Sequence, residues 1–503
     1  MKDVIVIGGG VAGLIAARAC ARVGLSVTVL EATGVPGGAL GSHEVAGLTL
    51  DSGAESFAVR RNAVAEFIAD LGLSDEVVAP NPAGAWLQLP DDRVPGASVS
   101  VPLPKAGVLG IPGSPLADDV RRVIGWSGAW RAYADRLMPV LTIGREHSLG
   151  ELVRKRMGRR VLERLVEPVT TGVYSSAADD LEVDVVAPGL NSALTVTGSL
   201  SGAVLSLRSA APAGSNVAGL RGGMSRLVAA LVADLRHFGV EIVTDAPVTA
   251  LHRAGTEDAP TWTVTRAPAA PETADPAATA PETAPAGSPA REPEAVLDAR
   301  FVIIATPGAQ ALGLMADLSP AHAALAELDW PQPTAIELAT IVIDAPALDA
   351  HPRGTGVLVA AATPGVTAKA LTHVTAKWEW LAEAAGPGRH VIRLSYGRAG
   401  QDSPTARLSD DELLALSLHD ARTILGVDLD AEAVRGFART VWGDALSPAT
   451  VGAPERVNQV REVVAATPGL ELTGAWLAGT GLASVIPDAV AAASRTRHDA
   501  LGI

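Results

Sequence analysis

The sequence predicts an α/β fold: a discontinuous parallel-sheet domain of doubly wound type, a mixed-sheet second domain and a helical subdomain. Three observations carry that prediction. Residues 3–7 (DVIVI) read as a strand, 11–23 as a helix and 26–30 (SVTVL) as a second strand ending at Glu31, which makes a tight βαβ unit. A glycine-rich turn, Gly8 to Gly13 (GGGVAG), joins the first strand to the helix, and a second glycine-rich helix start, Gly479-Thr480-Gly481, lies near the other end of the chain. The 503 residues, 48% of them hydrophobic, supply the apolar material for two or three domains.

The remaining elements rest on local signals. A helix is expected over 62–71, closed by Gly72, and the Pro- and Gly-rich stretch 80–116 is expected to form loops and short strands. SLGE at 148–151 has the capping-box spacing and should open a helix; the RKRMGRR run at 154–160 reads as a solvated helix face. Residues 222–239 have helical apolar spacing and end on Gly239, with strands expected at 240–243, at Val248, and over 261–265, 301–305 and 390–396. Between two of these strands, 266–295 is dominated by Ala, Pro, Glu and Thr, with APET at 270–273 and again at 280–283. Such a composition buries too little apolar surface to fold, so a disordered insertion is expected there.

Composition narrows the function. A net charge of -15 argues against nucleic acid as the partner, because phosphate backbones attract basic faces. The single cysteine, Cys20, excludes an intramolecular disulfide, a CxxC pair and a cysteine metal site; on its helix it reads as a small buried residue. No metal site is expected. The apolar start has Asp3 before it and glycines within it, which is unlike a secretory signal, and nowhere do about 20 apolar residues run uninterrupted. A cytoplasmic protein is expected, with peripheral membrane attachment left open.

The strand–turn–helix–strand arrangement gives the glycines a chemistry. Gly8 permits the tight turn, Gly10 lets backbone approach a pyrophosphate, and Gly13 lets helix and strand pack closely. The first N–H groups of the helix, around Val11 and Ala12, then face the phosphates. Glu31 is placed to accept from a ribose hydroxyl and disfavours a 2′-phosphate there, but it does not by itself separate FAD from NAD.

The residues after Glu31 make that distinction. Pro36-Gly37-Gly38 and then LDSGAESF at 50–57 resemble the flavoprotein family that includes amine oxidases, polyene desaturases and porphyrinogen oxidases. FVIIATPGA (301–309) resembles the family's returning strand and LTGAWLAGTGLASVIPDAV (472–490) its closing motif. The resemblance implies a Rossmann-like FAD-binding domain from 1–85, 215–310 and 435–503, a helical or substrate region from 86–214 and a substrate-binding domain from 311–434. It further implies FAD contacts from Gly37, Gly38, Gly53, Ala54, Glu55, Ser56, Val248, Thr306, Gly474, Gly479, Thr480 and Gly481, beside those of the first turn.

Four segments narrow the resemblance to the bacterial porphyrinogen oxidases of haem biosynthesis: 53–62 (GAESFAVRRN), 101–117, 166–188 with its Gly-Val-Tyr, and 222–231. The chain departs from that pattern at Ala39-Leu40-Gly41-Ser42, at 445–457 and in the LASVIPD directly after Gly481. The resemblance implies hydride removal from a meso bridge of a porphyrinogen, with O₂ as final acceptor; the flavin carries the redox chemistry and the protein orients the macrocycle. Substrate carboxylates call for arginine, and Arg60 is the candidate contact, with a solvated helix-start Arg as the plain alternative. Tyr174 is either a cavity wall or core packing. No general base is identified. Coproporphyrinogen III is favoured over protoporphyrinogen IX by resemblance to Gram-positive-type sequences. An amine oxidase or desaturase, and a non-catalytic flavin- or porphyrin-binding protein, stay open as alternatives, as do contact with another haem-pathway enzyme and the oligomeric state.

Overall fold

A computed structural model describes residues 1–59, 62–105, 107–138, 145–209, 217–256, 260–267, 295–331, 335–443 and 449–502. Arg60 and the central part of the expected insertion, 268–294, lie outside these residues.

Strand β1 (Lys2–Ile7), helix α1 (Val11–Ala21) and strand β2 (Val27–Leu30) form the expected N-terminal unit. Both strands are almost wholly buried, as parallel strands covered on two faces must be. Further strands extend the sheet. Glu241–Val243 pairs parallel with β2, β1 pairs parallel with the long strand Ala295–Ile304, and that strand takes Leu470–Leu472 parallel at its C-terminal end. The first half of Ala295–Ile304 instead pairs antiparallel with Pro260–Arg266, which pairs in turn with Val248–Gly255. Segments from the start, middle and end of the sequence therefore meet in one sheet.

Helix α1 carries almost no polar surface because it is enclosed. It packs against Ser225–His237 and against the C-terminal helix Leu482–Leu501, and Cys20 sits in that core with no exposed surface. Arg18 enters the same region and is matched by Asp70 at 2.6 Å and by Asp234, so its buried charge is compensated.

A second seven-stranded sheet runs in the order Val434–Trp442, Ile336–Asp344, Arg389–Tyr396, Ala370–His373, Gly356–Val359, Ala85–Pro90 and Ser98–Pro102. All its pairings are antiparallel except that of Gly356–Val359 with Ala85–Pro90. Helix Asp410–Leu425, opened by a full capping box between Ser409 and Glu412, covers one face. Three strands of this sheet come from outside 311–434: Ala85–Pro90 and Ser98–Pro102 lie in the stretch expected to form loops and short strands, and Val434–Trp442 heads the C-terminal stretch assigned to the other domain.

The helical region, from Asp118 to Ser209, has its own core around Leu149, Leu152, Val161 and Leu165. Ser148 caps the helix Leu149–Met157 by accepting from the Glu151 N–H, at the expected place. The basic run at 154–160 is not uniformly solvated: Arg156 is buried and donates to Asp135 at 2.6 Å. Among the described residues no single helix is long and apolar enough to cross a membrane. One bent pair, Leu190–Thr197 with Leu200–Ser209, passes by length and composition only together, across a 115° break.

Candidate functional site

The C-terminal ends of β1, Ala295–Ile304 and Leu470–Leu472 converge, and outside such strand ends an open α/β sheet binds its ligands. The turn after β1 is built from close backbone approaches. Gly8 has φ 105°, and a Cβ there would lie 2.8 Å from the Ala305 carbonyl oxygen. A Cβ on Gly13 would lie 2.0 Å from the Gly8 carbonyl oxygen, so any larger residue forces helix and turn apart. Gly10 is different: at φ −67° its backbone is unstrained, and a Cβ would meet nothing within 4 Å. Its side-chain direction faces open space.

Gly10 heads α1 with no side-chain cap and no acidic residue in the first turn. The N–H groups around Val11, Ala12 and Gly13 are thus left for an anion. Gly481 (φ 91°) heads the 20-residue helix Leu482–Leu501 in the same uncapped way, and again a Cβ would meet nothing within 4 Å. The two helices pack side by side.

Glu31 is held at the turn. Its Oε2 accepts from the Gly9 N–H at 2.7 Å and its Oε1 from the Thr33 N–H at 2.9 Å and the Thr33 hydroxyl at 2.7 Å, which fixes the carboxylate while Oε2 keeps a further lone pair. Val248 begins its strand two residues after Ala246, whose N–H donates to the Glu31 carbonyl. The second glycine pair lies on the first loop: the Gly37 N–H donates to the Gly9 carbonyl at 2.9 Å, and a Cβ on Gly38 would stand 3.4 Å from the Gly10 Cα. Gly53 comes against Ala39, whose carbonyl accepts from the Ala54 N–H. Thr306 and Gly474 approach at the other strand ends, where a Cβ on Gly474 would stand 3.9 Å from the Thr306 carbonyl oxygen. The Thr306 hydroxyl is buried with no partner. Gly479 and Thr480 lead into the second helix start and are partly exposed.

Open space in front of Gly10 and Gly481, two uncapped helix starts, a fixed carboxylate and an orphaned buried hydroxyl fit a flavin dinucleotide lying across the strand ends. Gly8 to Gly13 would hold its pyrophosphate and Glu31 its ribose.

Sequence reasoning missed the group that grips residues 51–55. Glu55 is buried between Lys377 (2.6 Å) and Arg393 (2.9 Å), both from the second sheet's part of the chain. Burial pulls the Glu55 carboxyl up, but these two cations outweigh it and hold the group below its ordinary value. Arg393 also donates to the carbonyls of Asp51 (3.1 Å) and Gly53 (3.0 Å), and the Trp442 indole N–H to that of Ser52 (2.9 Å). Asp51 is pushed up to about 6 by burial and by nearby Glu55, although Arg393 acts the other way. Ser56 is partly buried beside this clamp. Tyr174 ends the helix Glu167–Tyr174 and packs on the helical core. Among the described residues no cluster of His, Cys, Asp and Glu suits a metal ion.

The comparisons agree with this geometry. The chain is 26% identical to a coproporphyrinogen III oxidase of Bacillus subtilis (strain 168), across 98% of this chain and 97% of that protein. It is 30% identical to one of Mycobacterium tuberculosis (strain ATCC 25618 / H37Rv), across 98% and 96%. A solved structure from Exiguobacterium sp. 255-15, provisionally named a protoporphyrinogen oxidase, superposes with a TM-score of 0.77 at 25% identity, covering 100% of this chain and 99% of that one. Putrescine oxidase structures share the fold at a TM-score of 0.58 and 15% identity. The model of the flavin containing amine oxidoreductases matches residues 11–496. The flavin that the glycine cradle fits is thus FAD, and the chain belongs to the flavin containing amine oxidoreductase family of oxidoreductases.

Proposed function

We propose that the chain oxidises coproporphyrinogen III to coproporphyrin III, with O₂ as the final electron acceptor, in haem biosynthesis. The observation that carries this reading is similarity over nearly the whole chain to coproporphyrinogen III oxidases from several bacteria, at 26% to 30% identity. When bound, FAD supplies the hydride-accepting chemistry. The protein's task is then to hold the cofactor, orient a macrocycle and keep water from the reacting bridge.

The residues divide that task. Gly8 to Gly13, Glu31, Gly37, Gly38, Val248, Thr306, Gly474 and Gly479 to Gly481 hold FAD, and Gly53 to Ser56 border its reactive end. The Lys377–Glu55–Arg393 clamp fixes this border against the second sheet, so that cofactor and substrate regions keep one registration. The second sheet and the helix ending at Tyr174 form the walls of the macrocycle site, and Arg60 is retained as a contact for a substrate carboxylate. The division into an FAD domain (1–85, 215–310, 435–503) and substrate regions (86–214, 311–434) is kept in this proposal, with Val434–Trp442 counted with the sheet it pairs in.

Protoporphyrinogen IX is the second reading, favoured by the Exiguobacterium neighbour and by a 33% identity over 187 residues to a chloroplastic protoporphyrinogen oxidase of Oryza sativa subsp. japonica. Porphyrin fluorescence appearing in air, with each porphyrinogen tested separately, distinguishes them. A faster enzyme-dependent rise with coproporphyrinogen III supports the first reading, and a faster rise with protoporphyrinogen IX replaces it with the second.

A further inference from the structure

Two of the described Arg and Lys side chains that lie almost wholly out of solvent, Arg18 and Arg156, each bond a carboxylate. Lys369 breaks the pattern. It is 1% exposed, and its ammonium donates to the Gly397 carbonyl at 2.8 Å and to the Ser175 hydroxyl, both neutral. The third N–H has no partner among the described residues. Arg398 stands next to it in charge: the two cations repel each other, and the Arg398 Nε is buried without a hydrogen-bond partner. Neither side chain forms an ion pair among the described residues.

The corner is rigidly built. Gly397 has φ 87°, and a Cβ there would lie 2.1 Å from the Ala335 carbonyl oxygen. On the other side of Arg398, the Ala399 N–H donates to the Ser175 carbonyl at 2.7 Å. Ser175 itself is left-handed, φ 56°, and ends the helix Glu167–Tyr174. Arg398 is therefore pinned before and after to the end of that helix, where Val173 is 52% exposed. A fully buried and a partly buried positive charge with no anion beside them among the described residues are costly, and an anion at this corner would offset both at once. Burial together with Arg398 already draws the Lys369 ammonium down to about 7.

We infer that Arg398, backed by Lys369, receives a carboxylate of the substrate, Arg398 making the contact and Lys369 positioning it through Gly397 and Ser175. This rests on the porphyrinogen reading, whose substrate carries propionates. Arginine suits that partner, since its fork matches a carboxylate in two parallel hydrogen bonds.

The test measures binding of coproporphyrin III and of its tetramethyl ester to the FAD-loaded enzyme, by fluorescence quenching in one detergent. Arg398→Gln is expected to weaken the free acid at least about tenfold, leaving the ester and the flavin content unaltered, with Arg398→Lys recovering part of the loss. Lys369→Met is expected to weaken the free acid in the same selective way. Equal affinity of Arg398→Gln and the parent for the free acid overturns the assignment and leaves the porphyrinogen reading standing. Equal losses for acid and ester also overturn it, since they indicate a role in shape or in holding a free inorganic anion. A parent enzyme that neither binds coproporphyrin III nor oxidises its porphyrinogen overturns both.

Discussion

Glu55 and Lys377 are 322 positions apart in the chain and 2.6 Å apart in space. With Arg393 they form a largely buried charge cluster that ties the loop beside the FAD cradle to the second sheet. Lys377→Met removes one cation and leaves Glu55 burial only partly compensated, so a destabilisation of about 2–4 kcal/mol is expected, together with weaker FAD retention. Chemical denaturation of the holoenzyme measures the first and released flavin the second. A variant as stable as the parent would show that Arg393 alone satisfies Glu55.

Gly10 and Gly13 separate the needs of the cofactor from those of the fold. Gly13→Ala puts a Cβ against the Gly8 carbonyl and should cost about 1–3 kcal/mol whether or not FAD is present. Gly10→Ala has room and an unstrained φ, so the apoprotein should keep its stability while FAD affinity falls at least about tenfold. Flavin content after purification and apoprotein melting temperature read the two effects apart. Normal FAD content in Gly10→Ala would contradict the placement of the pyrophosphate.

His373 is buried against His390 (3.0 Å) and His351, with Asp349 and Thr375 bonding His390. Burial, then the neighbouring histidines, lowers His373 to about 3. The unfolded chain, with histidine near 6.5, therefore binds this proton more readily than the fold does. Stability should be intact above about 6.5 and decline as pH falls toward about 3, by at most about 1.4 kcal/mol per pH unit for this group. Asp51, raised in the fold to about 6, acts in the opposite sense between about 4 and 6 and offsets part of the slope. His373→Asn should flatten the acid limb in denaturation midpoints measured across that range; an unchanged limb would remove His373 from the account.

Cys20 has no exposed surface, and burial pushes its thiol up to about 12. An aromatic disulfide reagent should leave the folded holoenzyme unmodified and label one thiol on denaturation. Rapid labelling of the native protein would show that the α1 packing opens.

The cradle is legible in the sequence because its signals are local. Gly8, Gly10 and Gly13 lie within one turn of a strand and a helix, and Glu31 ends the next strand, so spacing alone brings them together. The paired use of both chain ends is legible too, from two glycine-rich helix starts. The clamp is not: no short-range pattern marks Lys377 or Arg393 as partners of Glu55, since only the packing of the second sheet brings them there. The strand Val434–Trp442 escapes for a related reason. Its half-buried alternation suits either sheet, and its true partner, Ile336–Asp344, lies about a hundred residues earlier. Arg156 reads as solvated within a basic run, and a distant Asp135 is what draws it inside.

The central claim is tested most directly by mixing the FAD-loaded enzyme with coproporphyrinogen III without air and following flavin absorbance. The account predicts bleaching of the flavin as porphyrin fluorescence rises, and return of the yellow colour when air is admitted. Flavin that stays oxidised beside intact coproporphyrinogen III would contradict it.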